Sequence, residues 1–186
     1  LVNDSWSLKS TLSYTRHEDR TSTIAQIQDQ QDALTGNVQM SRSFGEKHLL
    51  RAGVNFIHED SREELVFEEF TEEDQITDPI VAAYLEDDWT ISNKLVARIG
   101  LRAEQRINNG EMSLSPRLSV AYKTGEYTQF SLAGGRFIQS PTVNYLYRNS
   151  DLESEEALHL LANWQWQKSG RTLRLEAYHK AYENLV

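Results

Sequence analysis

The sequence contains no cysteine. That excludes a disulfide scaffold, zinc–cysteine sites and cysteine nucleophiles, and it leaves the compartment open. Positive charge is scarce: 19 Lys and Arg stand against 28 Asp and Glu, a formal net charge of -9. With no basic patch to neutralise phosphates, nucleic acid is excluded as a partner. There is no run of about 18 apolar residues, so no transmembrane helix is expected. Proline is limited to three residues, and mean hydropathy is -0.60. The sequence also lacks a nucleophile elbow, a phosphate-binding glycine loop, a paired-histidine zinc motif and a dinucleotide glycine pattern. The expectation is therefore no enzyme, no cofactor and no resident metal. The chain opens at Leu1 within polar text and stops at Val186 in what reads as mid-strand, so it is expected to be a piece of a longer protein.

What is present is alternation. In the stretch 80–104, Leu95, Ala97, Ile99, Leu101 and Ala103 share one face, and Val96, Arg98, Gly100, Arg102 and Glu104 share the other. Val81, Ala83, Leu85, Trp89 and Ile91 are in phase on the preceding half, with Asp87 the discordant member. Successive strand residues point to opposite faces, so this reads as a hairpin with one apolar and one polar side. Asp87 is expected either to lie close to a polar boundary or to escape through a bulge.

The same period recurs along the chain. Trp6, Leu8, Leu12 and Tyr14 alternate with Ser, Thr and Lys, and Leu34, Val38, Met40 and Phe44 follow, with Arg42 on the apolar side near the end. Leu50, Ala52, Val54 and Phe56, then Leu118, Val120 and Tyr122, then Phe130 and Leu132 continue the pattern. It closes with Leu158, Leu160, Ala162, Trp164 and Trp166, then Leu173, Leu175 and Ala177. The reading is an all-β, antiparallel up-and-down meander of about nine strands, with short turns near 46, 93, 125 and 169. Longer connections are expected near 25, 68, 110 and 146, so short turns fall on one edge and long loops on the other. The stretch 59–78, rich in Asp and Glu with Arg62 its single base, reads as a solvated loop; divalent-cation binding is the alternative use of so many carboxylates. The repeated His-Glu-Asp at 17–19 and 58–60 reads as polar rim, because adjacent residues on a strand point apart.

Alternation alone does not say which face meets what. Three features favour an apolar exterior over a soluble barrel with an apolar interior. Loops are short on one side and long on the other, as in outer-membrane barrels. Arg98, Arg102, Arg117 and Arg174 occupy mid-strand positions of the polar face. All four tryptophans fall near the short-turn edge and in phase with the apolar face, as an aromatic belt requires. The apolar band runs about nine to eleven residues per strand, enough to cross a bilayer at a tilt. Nine strands do not close an even-numbered barrel, so an arc of a larger one is expected.

The motifs YLEDDW (84–89), GLR (100–102), SPRLSVAY (115–122), GGRFIQSP (134–141), NYLYRNSDLESEEALH (144–159) and LEAYHKAYENLV (175–186) resemble, in order, the barrel of TonB-dependent outer-membrane receptors. The resemblance implies a 22-stranded transmembrane barrel plugged by an N-terminal domain, of which residues 1–186 would be a part, the plug and the remaining strands lying outside this sequence. It implies a Gram-negative outer-membrane location and energised uptake of a siderophore, metal chelate, vitamin or glycan. The implied partners are the TonB complex through the plug, outer-membrane lipid and the small-molecule or chelate ligand. A passive porin or structural barrel stands as the alternative. Arg136, Gln139, Tyr145 and Tyr147 are the candidate ligand contacts, because Arg with aromatics suits an anionic chelate or glycan. Arg98, Arg102, Glu104 and Arg117 are expected to line the lumen or face the plug.

Overall fold

The computed structural model describes residues 6–68 and 70–185. Nine strands follow one another: β1 (Trp6–Ser22), β2 (Gln26–Phe44), β3 (His48–Phe67), β4 (Phe70–Ser92), β5 (Leu95–Arg106), β6 (Met112–Lys123), β7 (Thr128–Gln139), β8 (Glu155–Lys168) and β9 (Arg171–Glu183). A one-turn helix, α1 (Val143–Leu146), sits between β7 and β8. Each strand pairs antiparallel with its sequence neighbours, in the order β1 to β9. The sheet is not closed: β1 and β9 are free edges, which makes it an arc of a larger barrel. The expected all-β meander is borne out.

The short turns are local chemistry. Gly45 after β2 and Gly170 before β9 take φ of 60° and 76°, the left-handed region where a Cβ is strained. Both let the chain reverse at once, so the ladders begin directly at Phe44↔His48 and Lys168↔Arg171.

Two expected loops are strands instead. The stretch 59–78 is the upper half of a β3–β4 hairpin whose ladder continues to Phe67↔Phe70. The stretch 18–32 likewise pairs up to Ser22↔Gln26. Once both faces are polar the alternation vanishes from the sequence, yet backbone groups still gain from pairing. β2, β3 and β4 therefore reach 19, 20 and 23 residues, well beyond the band of about ten that a tilted strand needs to span a bilayer. β5, β6 and β7 stop at 12 residues each.

The sheet has no apolar core of the ordinary kind. Among the described residues, no large side chain is fully buried, and Ala82, Ala97 and Leu146 are the buried apolar ones. Ile99, Leu101, Leu118, Leu132, Leu158 and Leu175, all on one face, are each half or more exposed. A water-soluble barrel with an apolar interior would hide these groups, at about 25 cal/mol per Å² gained. Trp6, Trp89, Trp164 and Trp166 lie at the short-turn end of this same face, opposite Arg42, His48, Phe130 and Thr128.

Asp87 takes the first of its two expected routes. It lies near the short-turn end and pairs with His48 Nδ1 at 2.8 Å, and His48 stacks on Trp89 with ring centroids 5.7 Å apart. The bulge in this hairpin falls further on, between Thr90 and Ser92, and leaves the Asp87 register intact.

Candidate functional site

The opposite face is polar and internally wired. Near the short turns, Asp88 accepts from Arg51 Nη2 at 2.6 Å and from Arg98 of the facing strand. Higher up, Arg102 donates to Asn55 Oδ1 at 2.7 Å and pairs with Glu104 at 2.8 Å. Tyr84 lies across the sheet and donates to Gln39 Oε1 at 3.0 Å. Its ring rests on Gly53, where a Cβ would stand 2.5 Å from the ring, so any larger residue there must push the ring aside. Arg117 stacks over Phe137, 4.7 Å from its centroid. With Gly135, Ala133, His159 and Tyr178 it walls a trough of about 550 Å³. Arg98, Arg102, Glu104 and Arg117 therefore share one face, joined by residues that alternation alone could not pair.

At the far end from the short turns a buried polar cluster ties four segments together. Arg106 is 3% exposed and donates to Asp78 Oδ1 at 3.3 Å, Glu111 Oε2 at 3.4 Å and the Leu152 carbonyl at 2.9 Å. Ser140 Oγ donates to Asp78 at 3.1 Å, and Ser154 donates to Glu111 through Oγ at 2.9 Å and through N at 3.2 Å. A buried ion pair is tolerable only with further hydrogen bonds, and here the Leu152 carbonyl, Ser140 and Ser154 supply them. Burial opposes ionisation of Glu111, but the hydrogen bonds from Ser154, Asn109 and Arg106 outweigh it and hold the carboxyl below its usual range.

This cluster folds the segment 140–154 back over the polar face. Leu146 of α1 is buried. Tyr147 lies close to Glu63, Asp29, Asp74 and Asp60; burial first, then these charges, push its hydroxyl up to about 12. Asp29, Glu63 and Asp74 are direct cross-strand partners, a row of carboxylates over three strands. Burial, with Asp29 as the next contributor, raises the Glu63 carboxyl.

Of the candidate ligand contacts, Tyr145 and Tyr147 sit together at α1, and Gln139 ends β7. Arg136 is not with them. Paired opposite Leu158, it lies on the apolar face, where it forms an ion pair with Glu156 and donates to the Leu114 carbonyl at 3.1 Å. The sequence reading missed Arg106, Asp78, Glu111 and Ser154. One signal was available: Arg106 continues the in-phase series Arg98, Arg102, Glu104 directly into the Asn-Asn-Gly turn. No acidic group of three or more among the described residues is arranged to hold a metal ion.

An open antiparallel arc with one uncovered apolar face, an aromatic rim and a charged opposite face is a section of a transmembrane β-barrel. Residues 2–186 match the family model described as TonB dependent receptor-like, beta-barrel, and the chain belongs to that family. Solved structures of similar fold include the copper transporter OprC, with a TM-score of 0.69 at 12% identity over 85% of this chain and 31% of that one. The FpvAI–pyocin S2 complex gives a TM-score of 0.72 at 11% identity, covering 94% of this chain and 31% of that one. The ferric yersiniabactin uptake receptor FyuA from Yersinia pestis gives 0.70 at 9% identity, covering 97% and 33%. At these identities the likeness is one of fold, and the chain spans about a third of the length of each of these structures. No curated protein matches the chain.

Proposed function

We propose that this chain is part of the barrel wall of a TonB-dependent receptor in the outer membrane of a Gram-negative bacterium, acting in energised uptake of a scarce ligand. The observation that carries the reading is the family match along 2–186 on a sheet whose apolar face is uncovered on every strand. In this reading the apolar face meets lipid, and Arg98, Arg102, Glu104 and Arg117 face the lumen and a plug encoded elsewhere in the protein, through which the TonB complex acts. The segment 140–154 is then an extracellular loop folded inward. Tyr145, Tyr147 and Gln139 offer it a ligand-facing surface, while Arg136 braces β7 against β8 from the lipid side. The ligand class is a siderophore, metal chelate, vitamin or glycan.

Uptake of candidate ligands by cells expressing the full-length protein tests this. Accumulation that requires an intact TonB system is the expected result. Equal flux in TonB-deficient cells would favour the passive porin instead.

A further inference from the structure

Arg42 is a cation on the face that otherwise carries Leu, Val, Met and aromatic side chains. It stands directly opposite Trp6 on β1 and Leu50 on β3, and residues directly opposite share a face. Its neighbours on β2, Met40 and Phe44, are 44% and 43% exposed on that face. The guanidinium is held in place: its carbon lies 4.9 Å from the Trp6 ring centroid and 4.7 Å from that of Phe44. Two aromatic contacts fix a side chain that would otherwise sample many rotamers.

The clamp leaves the charge without an ionic partner among the described residues. Among the described residues, no carboxylate lies within ion-pair distance of Arg42, and its Nε is buried between its neighbours without a hydrogen-bond partner. The terminal Nη groups are not among the buried, unpartnered atoms and form no hydrogen bond to the described protein, so they keep access to whatever covers this face. Among the described residues, Asp87 on the same face lies one strand beyond Leu50 and is engaged by His48 at 2.8 Å. Lys47 and Glu46 belong to the adjoining turn and reach the water beyond it. An unpaired, pre-oriented guanidinium at the level of the tryptophans faces the headgroup layer, where the abundant anion is phosphate. Planar Nη pairs match phosphate oxygens two at a time.

We propose that Arg42, clamped between Trp6 and Phe44, binds the phosphate of a phospholipid headgroup in the leaflet on the short-turn, periplasmic side. The inference rests on the outer-membrane reading above. It gives the wall a fixed lipid contact at a defined depth, with Leu50 beside it and Met40 deeper along β2 for the acyl chain.

The test uses the full-length protein reconstituted in vesicles of digalactosyldiacylglycerol, a phosphate-free host, doped with a phosphatidylglycerol that carries a photoreactive diazirine on its headgroup. A diacylglycerol with the same diazirine and no phosphate is the matched control. Labelling of peptides covering 38–50 is the readout. The phosphatidylglycerol probe is expected to label wild type, and Arg42→Gln to lower that labelling roughly tenfold, as for one lost charge-assisted contact. Arg42→Lys, which keeps the charge but not the fork, should lose roughly threefold. Equal labelling of Arg42→Gln and wild type, or equal labelling by the phosphate-free probe, would overturn the proposal. Suppression by excess inorganic phosphate would also overturn it, by showing that the site takes the free anion. Wild-type protein that stays out of the vesicles would defeat the outer-membrane reading itself, an outcome distinct from inserted protein that fails to label.

Discussion

The two ends of the sheet handle charge in opposite ways. At the short-turn end, polar groups on the apolar face stand beside aromatic rings, as with Arg42 against Trp6 and Phe44 and His48 against Trp89. At the other end, Arg106, Asp78 and Glu111 are withdrawn from solvent and close a network through Ser140 and Ser154. The first arrangement suits a fixed boundary with lipid headgroups, where interchangeable aromatics set depth. The second suits a loop that must hold one shape over a polar cavity, which takes directional bonds rather than surface area. Substitution is therefore expected to cost more at the second end than at the first.

Breaking the buried cluster should have the largest effect. Arg106→Ala leaves Asp78 and Glu111 without their cation, a loss of about 3–5 kcal/mol where a buried pair is broken. Hydrogen exchange in the full-length protein should show 140–154 losing protection while the turns near 46 and 93 keep theirs. Comparable loss at both ends would erase the contrast. Next, Leu101→Arg places a charge in the middle of the apolar face and should cost about 2–4 kcal/mol in refolding into vesicles. The same residue placed at Trp89, near the rim, should cost about 1 kcal/mol or less.

Smaller effects sharpen the picture. Gly53→Ala drives a Cβ into the Tyr84 ring and breaks the bond to Gln39, an overpacking cost of about 1–3 kcal/mol visible in thermal unfolding. Smallest is the carboxylate row, which has a pH signature. Glu63 has its carboxyl raised in the fold, so its contribution is fully present at low pH and is lost as pH rises through that raised value. Glu63→Gln should therefore stabilise by a few tenths of a kcal/mol at neutral pH, on the order of one like-charge cross-strand pair, and change nothing in acid. Glu111 runs the other way: its carboxyl is held low, so its contribution is present at neutral pH and lost as pH falls through that lowered value. Acid should thus loosen 140–154 while relaxing the row beneath it.

How much of this could be read from the sequence follows the same division. The short-turn end was legible because period-two alternation, Gly45, Gly170 and in-phase tryptophans are all local signals. The faces of Arg98, Arg102, Glu104 and Arg117 came from the same period. The other end was not legible. Where β3 and β4 leave the apolar band, both faces are acidic, so strand and loop look alike in sequence. The cluster joins residues from 78 to 154, and no local pattern connects Arg106 to Ser154. Arg136, grouped with the loop in the sequence, belongs to a strand, and its phase places it on the apolar face with Leu158. Arg42, out of phase in the sequence, is out of phase in the fold as well, and its aromatic neighbours became visible only with the β1–β2 register.

The central claim is that one face of this sheet meets lipid and the other does not. This stretch has no cysteine, so single cysteines can be placed along β5 in the full-length protein, at 98 through 103, and spin-labelled in vesicles. Relaxation by oxygen, which concentrates in lipid, should be high at 99, 101 and 103 and low at 98, 100 and 102, with a water-soluble nickel reagent showing the reverse or no access where the lumen is plugged. Equal oxygen access at adjacent positions, or a maximum at 98, 100 and 102, would contradict it.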